Sequence, residues 1–215
     1  MADLKVCSYD ESGLGGTDMN TRRELSRTYP RDVGGVTLRL MDGSDRDAML
    51  RFARNLPPDD LLFLRLDIAT PDGVDEWIRN IEGGRTITVV AEADGKIAGY
   101  ASVHHNEVLW NRHIGELRVI VGADHRRSGL GRRLTDEVFA IAKELGLRKI
   151  TAQMTPDQRG ARATFERLGF RPEALLADFV VDREGKTRDL LIMSHDIAGF
   201  TDIEHVGAGK VGARA

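Results

Sequence analysis

The 215-residue chain reads as one α+β domain: a mixed, mostly antiparallel central sheet flanked by helices, with a parallel strand pair at its centre. Three observations predict this. Period-two segments rich in β-branched residues recur between residues 36 and 197, and short turns join several of them into antiparallel hairpins. A stretch of helical period from Arg132 to Leu145 separates two strand segments, and a crossover helix makes such strands parallel. Hairpins and a crossover in one chain exclude a doubly wound, all-parallel sheet.

The elements follow in order. Val36 to Leu40 alternates and predicts a strand. Ser44 opens a helix with Asp47 at the capping-box position, and Met49, Phe52 and Leu56 share one face before Pro57 and Pro58 stop it. A second helix is expected from Asp59 to Leu66 and a third from Asp72 to Ile81, closed by Gly83 and Gly84. Thr86 to Glu92 and Ile97 to His105 make a hairpin about the turn Asp94-Gly95. A strand spans about Gly115 to Val121. In the long helix Leu134, Val138, Ile141 and Leu145 form one stripe, and Gly146 is its stop. Lys149 to Gln153 is a strand. A helix carrying Ala161, Phe165 and Leu168 ends at Gly169, and strands at about 174–182 and 188–197 flank a last turn. Residues 1–33 have no steady period and are expected to be an irregular arm with one short helical turn. The domain spans 34–198, and 199–215, rich in Gly and Ala, is expected to be a flexible tail.

Composition narrows the function classes. With 34 acidic and 31 basic residues the net charge is -3, which excludes a broadly basic nucleic-acid wrapper. No apolar run reaches the roughly 20 residues of a membrane span, and the first residues lack a secretory leader. The single cysteine, Cys7, cannot close an internal disulfide or build a cysteine-rich zinc site, so a cytoplasmic protein without metal, nucleic-acid or membrane partners is expected.

The segment from Leu117 to Leu134 carries the chemistry. An apolar strand ends, a polar loop follows, and a helix begins at two glycines, Gly129 and Gly131. Unpaired N–H groups at a helix start, together with the helix dipole, make an anion cradle. Glycine lets backbone approach a pyrophosphate, and Arg126, Arg127 and Arg132 add positive charge. The segment lacks the Gly-Lys-Ser/Thr of a Walker loop, and Leu134 fills the place of the third small residue of a dinucleotide fingerprint. It fits a third pattern, Arg/Gln-x-x-Gly-x-Gly/Ala, from Arg126 to Gly131.

That pattern resembles the acetyl-CoA-binding motif of the GNAT superfamily of N-acetyltransferases. A second segment, Ala161 to Phe170, resembles the family helix that ends in Leu-Gly-Phe, and the resemblance covers about residues 36 to 197. It implies a GNAT-like fold and acetyl-CoA as co-substrate. It also implies that the backbone of Val119, Ile120 and Val121 pairs with the pantetheine arm. Arg127, Ser128, Gly129, Leu130, Gly131 and Arg132, headed by Arg126, would hold the pyrophosphate. Gln158 stands where many relatives carry a cofactor-touching Asn. Glu116 resembles the strand glutamate that bacterial protein lysine acetyltransferases of this superfamily use as general base; here the chain reads Glu116-Leu117-Arg118-Val119-Ile120-Val121. Its plain alternative is an exposed strand-edge charge paired with Arg118. Phe165 stands where many members place a general-acid Tyr, so no general acid is assigned and Phe165 is expected to pack against the pantetheine end.

The reaction so implied is direct transfer to a primary amine in a ternary complex, because Cys7 lies away from the motifs and is a poor covalent carrier. The competing reading is a non-catalytic acyl-CoA-binding sensor. The acceptor stays open among protein or peptide lysine, a polyamine and an amino acid, with Glu116 tilting towards lysine; a homodimer is also open. His104 and His105 are expected on opposite faces of a strand end, either one an alternative base. Trp77 and Trp110 are expected as packing anchors, Arg22 and Arg23 as a solvated pair, and Asp59 and Asp60 as helix-start acids.

Overall fold

The computed structural model describes residues 28–197, apart from 62, 63, 65, 107–109 and 183 and the side chain of Asp59. Its strands are β1 (Arg31–Val33), β2 (Val36–Leu40), β3 (Thr86–Ala93), β4 (Lys96–His104), β5 (Ile114–Val121), β6 (Lys149–Met154), β7 (Arg171–Val181) and β8 (Thr187–Asp196). They form one eight-stranded sheet in the order β1-β2-β3-β4-β5-β6-β8-β7. Every neighbouring pair is antiparallel except β5 with β6. The predicted fold class is the observed one. Its helices are α1 (Arg46–Arg54), α2 (Pro58–Leu61), α3 (Pro71–Glu82), α4 (Leu130–Glu144) and α5 (Arg159–Arg167). No described helix is long and apolar enough to cross a membrane.

Alternation along the strands makes two cores, one per face. Leu134, Val138 and Ile141 of α4 pack with Val89, Ala101, Val103 and Leu117. Met49 and Phe52 of α1 and Val74 and Trp77 of α3 pack with Val90, Tyr100 and Ile120. Because Leu117 and Ile120 go to different faces, β5 contributes to both cores and runs through the middle of the molecule.

Several expectations are corrected. The last residues of the N-terminal arm are not irregular: β1 pairs with β2 at the sheet edge. The buried Glu137 of α4 holds this edge, accepting from Tyr29 Oη at 2.9 Å and Arg31 Nη1 at 2.7 Å, and Arg133 Nη1 donates to Val33 O at 3.0 Å. The helix expected over 59–66 is shorter: α2 ends at Leu61, and Leu64 and Leu66 are in no helix. Trp110 is no packing anchor, being 88% exposed, whereas Trp77 is buried and donates Nε1–H to Thr88 at 3.2 Å. Cys7, Arg22 and Arg23 lie outside the described residues.

The cap ahead of α1 also differs. Asp42, not Ser44, accepts the backbone N–H of Ser44 at 2.8 Å, and Asp45, not Asp47, returns a bond to the Asp42 N–H at 3.0 Å. The entry is a 3-10 turn, Gly43–Asp45, so the box sits two residues earlier than a direct α start would place it. Arg39 clamps Asp45 with two donors, at 2.8 and 2.6 Å, and the carboxylate drives the Arg39 pKa upward despite partial burial. Asp42→Ala is expected to cost about 1 kcal/mol, a Tm fall of roughly 2–4 °C, whereas Asp47→Ala should leave Tm unchanged. Thermal melts of both variants check this.

Candidate active site

The site begins where the parallel pair parts. β5 and β6 are paired only at Ile114↔Lys149, Gly115↔Ile150 and Glu116↔Thr151. Beyond Glu116, β5 continues against β4 up to Gly99↔Val121, and β6 continues against β8 up to Met154↔Leu191. The edge of Leu117 to Val121 that faces β6 therefore has no ladder partner, although it lies in mid-sheet. Buried ladder groups are ordinarily paired, so such a split invites another chain of amides.

This open edge leads to the loop before α4. Arg127 and Gly129 both take left-handed backbone conformations, φ +63° and +82°. The N–H of Leu130 is met by Ser128 Oγ at 3.3 Å, and that hydroxyl donates to His125 O at 2.6 Å. Among the described residues, the N–H groups of Arg127, Ser128, Gly129, Gly131 and Arg132 have no protein acceptor, and α4 has no side-chain cap. The helix dipole adds positive potential at the same spot. A Cβ at Gly129 would meet nothing within 4 Å and one at Gly131 only Val121 Cγ2 at 3.5 Å, so the protein's own packing does not demand a bare backbone at either place. The left-handed φ explains Gly129; nothing in the protein's own packing explains Gly131. The helix starts at Leu130, two residues before the expected Arg132, and the Leu130 side chain is core, leaving only its backbone for a ligand.

Other candidates are positioned as follows. Arg126 is turned aside: its Nε donates to Val121 O at 3.2 Å and its Nη2 to Asp60, so it braces the loop against α2. Arg127 and Arg132 are exposed beside the cradle. Gln158 precedes α5 and accepts the Thr155 N–H on Oε1 at 3.1 Å. Phe165 is half-buried and meets Phe170 edge-on at 4.9 Å. Val119 and Val121 turn to the α4 face, Ile120 to the α1–α3 face.

On the α1–α3 face the sheet forms the floor of a cavity of about 460 Å³. Register sets its contents in rows. Thr86, His104, Glu116 and Thr151 oppose one another across four strands, followed by Ser102 and Arg118, then Tyr100, while Thr88, Val90 and Ile120 share those rows outside the lining. Thr86 and His104 Nδ1 are 2.9 Å apart, as are the Thr88 and Ser102 hydroxyls. Glu116 is thus no exposed edge charge. It is 6% exposed in a central strand, and its Oε1 accepts from Arg118 Nη2. The strand ends at His104, so the expected alternation stops there, and His104 and His105 line the same cavity rather than opposite faces. Burial pushes the Tyr100 phenol well above its ordinary pKa, keeping it protonated, with nearby Arg118 acting weakly the other way. Sequence reading missed Arg118, Ser102 and Thr86 as cavity residues, because their convergence follows from strand register rather than from any motif.

The family model described as the acetyltransferase (GNAT) family matches residues 51–170. The chain belongs to this family. It is an acetyltransferase by that membership. A Bacillus subtilis (strain 168) relative, YwnH, whose name carries a provisional phosphinothricin acetyltransferase assignment, is 23% identical over 76% of this chain and 100% of its own length. The streptothricin acetyltransferase of Streptomyces lavendulae is 30% identical over 54% of this chain and 61% of its own. Among solved structures, yncA of Salmonella typhimurium, a provisional acetyltransferase solved with its cofactor acetyl-CoA, superimposes with a TM-score of 0.65 at 22% identity, covering 79% of this chain and 98% of the other. At that identity the likeness is one of fold.

Proposed function

We propose that the protein transfers the acetyl group of acetyl-CoA directly to a primary amine in a ternary complex, with Glu116 as general base. The observation that carries this is the split of β5 from β6 just past Glu116, running into the uncapped start of α4. The backbone of Val119, Ile120 and Val121 would pair with the pantetheine amides. The N–H groups from Arg127 to Arg132 would take the diphosphate, and Phe165 would wall the arm from the side of α5. The thioester is then led to the head of the cavity that holds Glu116.

The chemistry needs a free nitrogen lone pair. A lysine-like amine has a pKa of about 10.4 and arrives as ammonium at neutral pH. Glu116, bonded to Arg118, accepts that proton directly or through one water. As nitrogen bonds to the carbonyl carbon, charge gathers on the carbonyl oxygen, and a β5 N–H near Val119 would stabilise it. The C–S bond then breaks, and the second proton on nitrogen passes to the departing sulfur or to water. With Phe165 on α5, no acid is assigned to the sulfur; a thiol pKa near 8.5 makes departure as thiolate feasible. The names of the relatives, phosphinothricin and streptothricin acetyltransferases, support small amines as acceptors; protein lysine rests on the resemblance at Glu116 alone. The test is thiol release from acetyl-CoA across amine classes, run beside calorimetry of acetyl-CoA binding. Binding and amine-dependent release are expected. Binding without release on any amine would make the protein a sensor, and absence of both would remove the reading.

A further inference from the structure

One side chain holds the loop before α4 from two sides. Arg127 takes φ +63°, a left-handed conformation that is costly for a residue other than glycine and persists only where its surroundings enforce it. The residue directly before it supplies that constraint. Arg126 folds back over the loop: its Nε donates to Val121 O, at the end of β5, at 3.2 Å, while its Nη2 donates to Asp60 of α2. Two further bonds fix the same stretch, from Gly122 N–H to Ala98 O at 2.9 Å and from Ser128 Oγ to His125 O at 2.6 Å. On its other side, Asp60 stands at the head of the segment that walls the cavity. Leu61 is buried in the α1–α3 core, and Leu64, Leu66 and Ile68 line the cavity. Arg54 pins the far end of that segment, its Nε donating to Ala69 O at 3.1 Å. The cradle loop and the cavity wall, joined at residues 66 positions apart in sequence, therefore share one ion pair. With side chains 43% and 27% exposed, such a pair contributes little to stability, and what it fixes is position.

We infer that Asp60 is a positioning residue that couples the two substrate sites: through Arg126 it sets the loop whose N–H groups take the diphosphate, and the same bond ties the cavity wall to that loop. This rests on the docking of acetyl-CoA proposed above. The coupling has a sign that separates it from bare electrostatics. Acetyl-CoA is a polyanion, so a carboxylate near its diphosphate repels it, and removing that charge should tighten binding. A carboxylate that holds Arg126 in place aids binding, and removing it should weaken binding. A guanidinium has five donors, so Arg126 keeps Val121 O and Asp60 with N–H groups to spare, and an arriving diphosphate need not break the tie. By linkage, a cofactor that steadies the loop steadies the wall as well.

Calorimetric titration of acetyl-CoA reads the sign. Asp60→Asn is expected to raise the Kd by about three- to tenfold with Tm unchanged, a range between the worth of an exposed ion pair and that of a charge-assisted hydrogen bond. Asp60→Glu keeps the carboxylate and should restore most of the affinity. Asp124→Asn removes the same charge from an exposed position in the cradle loop itself and should leave the Kd level or lower it. With Arg126→Gln the tie is already lost, so adding Asp60→Asn should raise the Kd no further. Hydrogen exchange reads the other end of the tie: saturating acetyl-CoA should slow exchange at the amides of Leu61, Leu64 and Leu66 in the wild-type protein and not in Asp60→Asn. A Kd that falls or stays level in Asp60→Asn, a rise of equal size in Asp124→Asn, or wall amides indifferent to acetyl-CoA in the wild-type protein would overturn the inference while leaving acetyl transfer intact. No binding of acetyl-CoA to the wild-type protein would remove both.

Discussion

Glu116→Gln is expected to lower kcat at neutral pH by about two to four orders of magnitude, the usual span for a lost general base, while acetyl-CoA binds as before. The substitution suits the site. Glutamine has the same shape, and its Oε1 can still accept from Arg118 Nη2, so the floor of the cavity keeps its packing. What is lost is the ability to hold a proton. With an amine pKa near 10.4, only a few molecules in ten thousand are unprotonated at pH 7. The variant depends on that fraction, so its rate should climb with pH towards the wild-type value as solution takes over deprotonation. A merely structural role would lower the rate equally at every pH. The rival base is His104, which directly opposes Glu116 across β4 and β5. If His104 were the base, Glu116→Gln would retain near-normal activity at neutral pH and His104→Gln would take the loss. The pH profiles of both variants, read beside acetyl-CoA calorimetry, separate the two.

The sequence carried the fold because its strongest signals are local. The stripe Leu134, Val138, Ile141 and the stop at Gly146 define α4, and Asp94-Gly95 defines the β3–β4 turn. Those two elements, with the crossover rule, already place a parallel pair in mid-sheet. The uncapped start of α4 was legible for the same reason: its parts are contiguous from Arg127 to Arg132. Three things were not legible. β1 is three residues long and is held by Glu137 and Arg133, a hundred or so residues away, so nothing near it in sequence marks it as a strand. The cap at Asp42 depends on a 3-10 entry that the pattern of Ser44 and Asp47 does not signal. The pairing of Glu116 with Arg118 was visible as an i, i+2 spacing, but its burial was not. Burial comes from β4 and β6 on either side and from α3 with its preceding loop above, which supply Trp77, Leu66 and Ile68 to the cavity wall. A residue's chemistry was readable; the dielectric around it was a tertiary property.

The second large effect is expected at the cradle. Gly129→Val should raise the acetyl-CoA Kd by about ten- to a hundredfold, and Gly146→Val should leave it unchanged. The two glycines are matched. Both are left-handed, φ +82° and +73°, and a Cβ on either meets nothing within 4 Å. A β-branched side chain in that conformation costs of order 1–3 kcal/mol wherever it stands, so both variants should melt several degrees lower. They differ in place. Gly129 opens α4 and Gly146 closes it, so the length of a 15-residue helix, about 22 Å, lies between them. Gly129 stands beside the N–H groups proposed to hold a diphosphate. A valine there fills the ligand's room and turns the Gly129 N–H away, whereas at Gly146 it adds only strain. Calorimetric titration of acetyl-CoA into both variants, with their melting curves, isolates the cradle from the strain. Equal losses of affinity would mean that the effect is general destabilisation. Unchanged affinity in Gly129→Val would mean that the diphosphate docks elsewhere, and the course proposed for the thioester along β5 would have to be abandoned with it.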